Sequence, residues 1–404
     1  MPLLGHAQTY DAAIYRQGGK QLWTRVGGLT AVEWGRKLDD YSEGKITVSK
    51  GLSDDAVCGK LGQVNTWKHE LCIFRDAEMV WCGPIVQKSE FRDRFVFNAR
   101  DMIAWFDRRY NPVPYNWVPV SSQNPGGWGE ANVGGLIWHI LADCFDLNGA
   151  AGHRAEHDPN LYPYLLVDST PGINASVQAV RVREKNVGTL IRDLLQHGID
   201  MFTIGRFIVI RHISNTRANV PYRLTQDDFI GDLEIREMGL DAATRGIVVG
   251  GQAQTTDGAN NPAAGQTLPP IGVAGGVDAQ FGLIEKGVQS QTATSQKAVD
   301  SLARQVASYG NPPPVAIIVP DKTQLSPTAN ITIRDLVPAR RLNVRLDRFC
   351  TPVESQFVIS EVAASCTVDD SGISEQVQVS FTTDGVPLST LSGAPTALTA
   401  GAGG

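Results

Sequence analysis

The stretch LCIFRDAEMVWCGPIVQKSEFRDRFVFNA, residues 71–99, decides the reading of the fold. Leu71 and Ile73 lie on one face of an extended chain, with Cys72 and Phe74 on the other. Asp76-Ala77-Glu78 is a turn, and a second strand runs from Met79 to Lys88. The Gly83-Pro84 pair inside it predicts a bend or an edge position, because proline has no N–H to donate to a ladder. Phe95, Phe97 and Ala99 then face one way, and Val96 and Asn98 the other. Upstream, Ile46 and Val48 alternate with Thr47 and Ser49. Strands joined by short turns make a small barrel or sandwich.

Outward from this block the period changes. Asp101 to Arg108 reads as helix, and SSQNPGGWG at Ser121 to Gly129 as a loop. Val133 to Leu147 is an amphipathic helix with Leu136, Ile137, Ile140, Leu141, Cys144 and Phe145 as its apolar stripe. Another helix starts after Asn186 as N-cap, turns Leu190, Ile191, Leu194 and Leu195 inward and stops near Gly198. Phe202 to Arg211 is a hairpin around Gly205-Arg206, and Gly246 to Gly251 a buried strand. Gln252 to Phe281, rich in Gly, Ala, Pro and Asn, is expected to be a long loop, either mobile or held by a partner. Ser295 to Ser308 is helical, with Ala298, Val299, Leu302 and Val306 on one face. The last hundred residues return to strands: Leu342, Val344 and Leu346 oppose Arg341, Asn343, Arg345 and Asp347, and Val377, Val379 and Phe381 oppose their polar neighbours.

Composition bounds the function. The 404 residues are 42% hydrophobic, enough for several packed units. The net charge of −6 argues against a dedicated nucleic-acid binder, though not against a wall that DNA slides past. No signal peptide and no membrane-spanning run is expected. None of Cys58, Cys72, Cys82, Cys144, Cys350 and Cys366 forms a C-x-x-C pair, and most sit in apolar patterns, as small buried hydrophobes do.

Chemistry-bearing patterns are few. His153 and His157 stand four apart, the spacing of zinc ligands on a helix, but GHRAEHDP lacks the partner glutamate and reads as a polar loop. His139 and Asp143 fit a surface hydrogen bond on their helix. Trp105, Tyr110, Tyr115, Trp117 and Trp128 are either a recognition surface or a loop clamped on its own domain. Arg340, Arg341, Arg345 and Arg348 form the one local basic concentration; they are candidates for subunit or lumen contacts, against the plainer reading of a solvated strand face. There is no nucleophile elbow, no phosphate-cradling loop and no EF-hand loop, so no catalytic, cofactor or metal residue is assigned.

Three segments together carry a resemblance: MVWCGPIVQ from Met79 with ARDMIAWFDRR from Ala99, GLIEKGV from Gly282, and IRDLVPARRLNVRL from Ile333. In this order they resemble minor tail proteins of siphophages infecting actinobacteria and, more broadly, the tail-tip or baseplate hub family. The resemblance implies a multidomain, β-rich α+β chain with two barrel-like tube domains at its ends and smaller α/β domains between. The expected division is an N-terminal tube domain at 1–100, a helix-and-loop insertion at 101–185 and a small α+β domain at 186–251. A flexible Gly/Pro-rich segment at 252–290, a C-terminal helix and tube domain at 291–387 and a flexible tail at 388–404 complete it. It further implies a homotrimer at the tail tip of the virion, made in the host cytoplasm, with no cofactor and no catalysis. Its partners would be the distal tail protein, the tape measure protein and the central fibre or spike, with DNA passing through the lumen without specific binding. A tail-associated peptidoglycan hydrolase and a host receptor-binding protein are the alternatives.

Overall fold

The computed structural model describes residues 3–111, 131–133, 135–137, 140–141, 165–167, 174–175, 183–195, 198–217, 222–237, 239, 242–251, 269–290, 296–311, 315–348, 350, 352–369 and 372–383. Its first strands are β1 Tyr10–Arg16, β2 Leu22–Val26, β3 Leu29–Lys37, β4 Glu43–Ser49, β5 His69–Arg75, β6 Glu78–Glu90 and β7 Arg94–Arg100. Next come β8 Ala131–Asn132, β9 Leu165–Val167, β10 Asn174–Ala175, β11 Ile199–Ile204, β12 Phe207–His212, β13 Tyr222–Thr225 and β14 Phe229–Ile230. The rest are β15 Glu234–Glu237, β16 Arg245–Gly250, β17 Ile271–Gly275, β18 Glu285–Ser290, β19 Val315–Ile318, β20 Thr323–Leu325, β21 Arg341–Leu346, β22 Val353–Asp369 and β23 Gly372–Thr383. The main helices are α1 Asp55–Gly62, α2 Val187–Leu195 and α3 Gln296–Gly310. Two compact units result, one built from Met1–Gly231, Pro320–Pro352 and Gln356–Thr382, the other centred on Asp232–Val319.

The first unit is organised by one 13-stranded sheet with the order β14-β20-β23-β22-β3-β4-β7-β6-β5-β1-β2; β21 joins from the side, pairing β13 and β22. The two strand-rich ends of the chain, expected as separate barrel-like domains, are thus joined edge to edge by the antiparallel pairing of β3 with β22. The hydrogen-bonded order of the described strands stays open between β14 and β2. The join is written in the period-2 pattern. Val32, Trp34 and Arg36 of β3 lie opposite Cys366, Ala364 and Val362 of β22, and all six are buried. Glu33, Lys37, Glu361 and Ser365 point the other way. Arg36 is the odd member of the buried row. Its guanidinium donates to the carbonyls of Ile333 (3.0 Å), Leu336 (2.7 Å) and Val80 (3.2 Å), and burial lowers its pKa to about 10. Those donations offset much of the cost of burying the charge, though Arg36 Nε has no partner. They also tie a strand of the N-terminal block to the segment preceding β21.

Residues 71–99 fold as their pattern predicts. Asp76 and Ala77 are the central pair of a two-residue hairpin turn, both with positive φ, and β5 pairs β6 from Arg75↔Glu78 to Glu70↔Pro84. Beyond Pro84, β6 changes partner and pairs β7 from Ile85↔Ala99. A Cβ on Gly83 would lie 1.8 Å from the Arg100 carbonyl, so the chain crosses itself there only because the residue is glycine.

The middle of the chain contributes a second core. Residues 133, 135–137, 140 and 141 are helical, and Val133, Leu136, Ile137, Ile140 and Leu141 pack with Leu190, Ile191, Leu194 and Leu195 of α2 and with Met102, Ile103 and Phe106. Asn186 Oδ1 accepts from Thr189 N at 2.7 Å, the N-cap role expected of it. The β11–β12 hairpin turns at Gly205-Arg206, again as expected, and Arg206 reaches buried Glu70 of β5 to form an ion pair.

In the second unit, β17-β16-β18 form a sheet, and β15 pairs β19. Helix α3 lies on one sheet face, with Val248, Val299, Ala303 and Val306 buried between. Gly246 and Gly272 let it approach: a Cβ on either would come within 2.4 Å of the helix backbone. Ile247 and Val249 are only half-buried, so β16 is covered on one face rather than fully buried. Strand β17 falls inside the segment expected as a loop. The Gly, Pro and Asn content of residues 252–270 masked a short apolar alternation, and pairing with β16 settles it. Residues 252–268 and the tail after Pro387 lie outside the described residues.

Candidate functional site

The four arginines lie on and beside β21. The strand alternates as predicted, with Leu342, Val344 and Leu346 buried and Arg341, Asn343 and Arg345 on the other face. Arg340, Arg345 and Arg348 are each matched by a carboxylate of the same chain. Arg340 Nη1 meets Asp335 Oδ1 at 2.6 Å and lies over the Tyr222 ring at 5.4 Å. Burial raises the Asp335 pKa, but hydrogen bonds from Thr332 and Tyr222 and the Arg340 charge outweigh it and hold the carboxyl below its usual value. Arg345 pairs with Asp347, and Arg348 reaches Asp227 Oδ2 at 2.6 Å. The last of these partners is 121 residues away in sequence, which is why the cluster reads as more basic than it is. Its arginines are positioned rather than free. The paired carboxylates offset the charge that would draw a nucleic-acid phosphate to them.

Exposed pairs of this kind contribute ~0–1 kcal/mol. The side chain of Arg348 is 72% exposed. Arg345→Ala and Arg348→Ala are therefore expected to leave the urea midpoint of the chain almost unmoved. A loss of more than ~1 kcal/mol would show that these pairs hold the fold. If they serve a neighbouring subunit instead, the same variants reduce incorporation into tails while folding normally.

A second polar feature sits at the β3–β22 join. A cleft of about 500 Å³ is lined by Glu33, Lys37, Asp40, Glu43, Lys322 and Glu361, among others. Most of its charges are already used: Glu33 by Lys45 (2.7 Å), Asp40 by Lys37 and Arg192 (both 3.2 Å), Glu43 by Arg100 (3.7 Å). Ser42, which also lines it, donates to Asp101 Oδ2 at 2.7 Å and accepts from Trp81 Nε1 at 3.0 Å. A serine whose proton is held by a buried carboxylate, with no imidazole in contact, is oriented but not activated. The cleft lies where the two ends of the chain meet, and ion pairs hold most of its charges in place.

Of the other candidates, His139, Asp143, His153, His157, Tyr115, Trp117 and Trp128 lie outside the described residues. Trp105 packs partly buried against the helical core and meets Trp67 edge-on at 5.1 Å, while Tyr110 is exposed. Cys72, Cys82 and Cys366 are buried thiols, and Cys350 is exposed. Among the described residues no group of three or more His, Cys, Asp or Glu could hold a metal, and no helix is long and apolar enough to cross a membrane. Sequence reading missed the whole cleft, because its lining comes from strands that are adjacent only after β3 and β22 pair. The polar positions of both strands were the signal available.

No protein-family model matches the sequence, and no curated protein matches it. Solved structures do match. The 43 kDa tail protein of prophage MuSo2 from Shewanella oneidensis is 11% identical, with 92% of this chain and 97% of that chain covered and a TM-score of 0.51. A tail protein from Neisseria meningitidis is 10% identical, covering 92% and 96% of the two chains with a TM-score of 0.48. A prophage tail protein from Listeria monocytogenes is 9% identical, covering 91% and 94% with a TM-score of 0.46. The first of these similarities shows a shared fold along nearly the whole of both chains.

Proposed function

We propose that the protein is a structural subunit of a bacteriophage tail, the hub at the distal end of the tail tube, and that it works as a homotrimeric ring around the DNA channel. The observation that carries this reading is the fold shared with a prophage tail protein over 92% of this chain and 97% of that one. A correspondence of whole chains, rather than of one domain, supports a common structural role more than a grafted activity. The join of β3 with β22 fits it as well. A ring subunit must keep its two halves in fixed relation if their strands are to continue around a tube, and here the halves share hydrogen bonds. In this reading Arg341, Arg345 and Arg348 face a neighbouring subunit or the lumen. The carboxylate partners of Arg345 and Arg348 offset the charge of that surface, so that passing DNA is not held. The distal tail protein, the tape measure protein and a central fibre or spike are the partners such a position implies, and the chain itself performs no catalysis.

A reconstruction of the tail tip tests the proposal. Threefold density for this chain around a central channel is the expected result. Six copies per tail, or a position outside the tube, would refute it. Recombinant protein should leave purified cell wall intact; release of peptidoglycan fragments would favour the hydrolase instead.

A further inference from the structure

Two of the buried thiols stand directly opposite each other. Cys72 of β5 pairs with Cys82 of β6 across an antiparallel ladder, and both residues are wholly buried. The hydrogen bonds on the other side of β5 fix what kind of pair this is. Gln17 N donates to Lys68 O and Asp76 N to Thr9 O, both at 3.0 Å, so Arg16↔His69 and Tyr10↔Arg75 are non-hydrogen-bonded pairs of β1 and β5. The unbroken register between them makes Ala13↔Cys72 a hydrogen-bonded pair. The backbone N–H and C=O of Cys72 therefore face β1, and towards β6 the pair Cys72↔Cys82 is non-hydrogen-bonded. Pairs of this kind hold their Cα atoms about 4.5 Å apart, with the side chains close together on one face. That lies inside the window of about 4.4–6.8 Å that a disulfide needs. Cys366, also buried, faces Val32 across its ladder with β3 instead.

The surroundings hold the pair in place. The two thiols are within hydrogen-bonding reach of each other, and Arg206 Nη2 donates to Cys72 Sγ at 3.7 Å while pairing with Glu70. A Cβ on Gly19 would overlap that guanidinium, so Arg206 packs tightly against the β1–β2 turn and covers β5 beside Cys72. Burial keeps the Cys72 thiol protonated far beyond its usual range, with Cys82 adding to the effect and Arg206 opposing it. A thiol in that state is a poor target for bulky electrophiles. Its nearest reactive group is the thiol across the ladder, and an oxidant little larger than water is what can join them.

We propose that Cys72 and Cys82 form an oxidation site, a dithiol that hydrogen peroxide converts to a cross-strand disulfide tying β5 to β6. One thiol takes an oxygen from the peroxide and becomes a sulfenic acid, and the first water leaves. The second sulfur then attacks the first, the S–S bond forms, and the hydroxyl leaves with the remaining thiol proton as a second water. Two thiols are oxidised and one peroxide is reduced to two waters, with no other reactant. The inference stands on the β5–β6 register and is independent of whether the chain forms a ring.

Peptide mapping of the full-length folded chain tests it. Trypsin cuts after Lys68, Arg75 and Lys88, which puts the two cysteines on separate peptides, His69–Arg75 and Asp76–Lys88. The chain is treated with hydrogen peroxide, unfolded in an alkylating reagent and digested without reductant. The expected product is these two peptides joined, lighter than their sum by two hydrogens, and roughly tenfold or more in excess over either one linked to another cysteine. The oxidised chain should also unfold at a higher temperature, and a reductant should remove the gain. Cys72→Ser and Cys82→Ser should each abolish the joined product, although the wild-type map decides whether or not a serine variant folds. Both cysteines fully alkylated after peroxide, sulfinic acid at either one, or linkage to Cys58 or Cys350 as often as to each other would overturn the proposal. So would a lower unfolding temperature in the linked chain, because β5 and β6 would then have to part in order to join.

Discussion

Arg75→Ala is expected to destabilise the chain by about 3–5 kcal/mol, the cost of breaking a buried ion pair from one side. Arg75 and Glu375 have side chains only 6% and 3% exposed, and Nη2 meets Oε2 at 2.9 Å. Arg75 Nε also donates to Glu375 Oε1 at 2.9 Å, and Nη2 donates to the carbonyls of Gly5 (3.0 Å) and Leu4 (3.3 Å). The carboxylate takes further bonds from Tyr10 Oη (2.6 Å) and Ala7 N (3.0 Å), and Trp34 Nε1 donates to Tyr10 at 3.1 Å. One network therefore links the N-terminal segment, β1, β3, β5 and β23. Burial by itself raises the Glu375 pKa, but Arg75 and Tyr10 outweigh it and hold the carboxyl below its usual value. A carboxyl with a depressed folded pKa contributes stability above its unfolded value, which is lost as the pH falls through the folded one. Without Arg75 the depression disappears, so the gap between wild type and variant should be widest at neutral pH and close on acidification. Adding Glu375→Gln to Arg75→Ala should recover part of the loss, because a neutral amide is cheaper to leave in place than a lone charge. Urea unfolding of the three proteins decides it. A single-variant loss under ~1 kcal/mol would mean that this ion pair contributes no more than an exposed one.

That network shows where sequence reading reached its limit. The strands around residues 71–99, the Asn186 cap and the apolar stripes of two helices were all legible, and Gly83-Pro84 was legible as an irregularity, although it proved to be a change of partner inside the sheet rather than an edge. Each depends on neighbours within a few residues, where periodicity and turn chemistry act. The pairing of β3 with β22 depends on residues more than three hundred positions apart, and no local pattern says which polar-faced strand meets which. Asp227, Glu375 and Glu70 were unremarkable in sequence for the same reason: each becomes a partner only in the folded chain. Helix α1 was missed although Asp54 caps it, accepting from Val57 N at 2.7 Å. It is short and only Leu61 is buried, so its apolar signal is faint. The arginines of β21 were found and their face was right, but Asp227, the partner of Arg348, lies too far along the chain to have been read with them. Composition, which exposed the Gly- and Pro-rich segment, also hid β17 within it.

Asp101 should be the most sensitive single carboxylate in the first unit. It is fully buried at the junction of the β3–β4 connection, the helical turn Met102–Arg108 and β11. Oδ2 accepts from Ser42 N (2.7 Å), Ser42 Oγ (2.7 Å) and Thr203 Oγ1 (3.1 Å), and Oδ1 accepts from Ile103 N at 3.1 Å as the cap of that turn. Asp101→Ala would orphan four donors that water cannot reach, at about 1–3 kcal/mol for each one left unsatisfied. Partial relaxation reduces the sum, and a net loss of about 3–5 kcal/mol is expected. Asp101→Asn should cost less, since its oxygen can still serve three donors while its NH₂ faces the Ile103 N–H. The pH dependence separates charge from shape. Burial raises the Asp101 pKa to about 6, against the pull of its hydrogen bonds. A carboxyl raised in this way contributes stability that is complete below its unfolded value of about 3.9 and is lost as the pH climbs through the folded value. The wild type should therefore give up on the order of 2–3 kcal/mol between about pH 4 and pH 7 through this group. The asparagine variant has no such proton to lose, so its deficit should narrow as the pH rises. Asp39, whose pKa burial raises to about 7, adds a slope of the same sign that both proteins share and that cancels in the comparison. Parallel urea curves for wild type and Asp101→Asn at pH 4.5, 6 and 7.5 would show that the Asp101 carboxyl keeps an ordinary pKa in the fold.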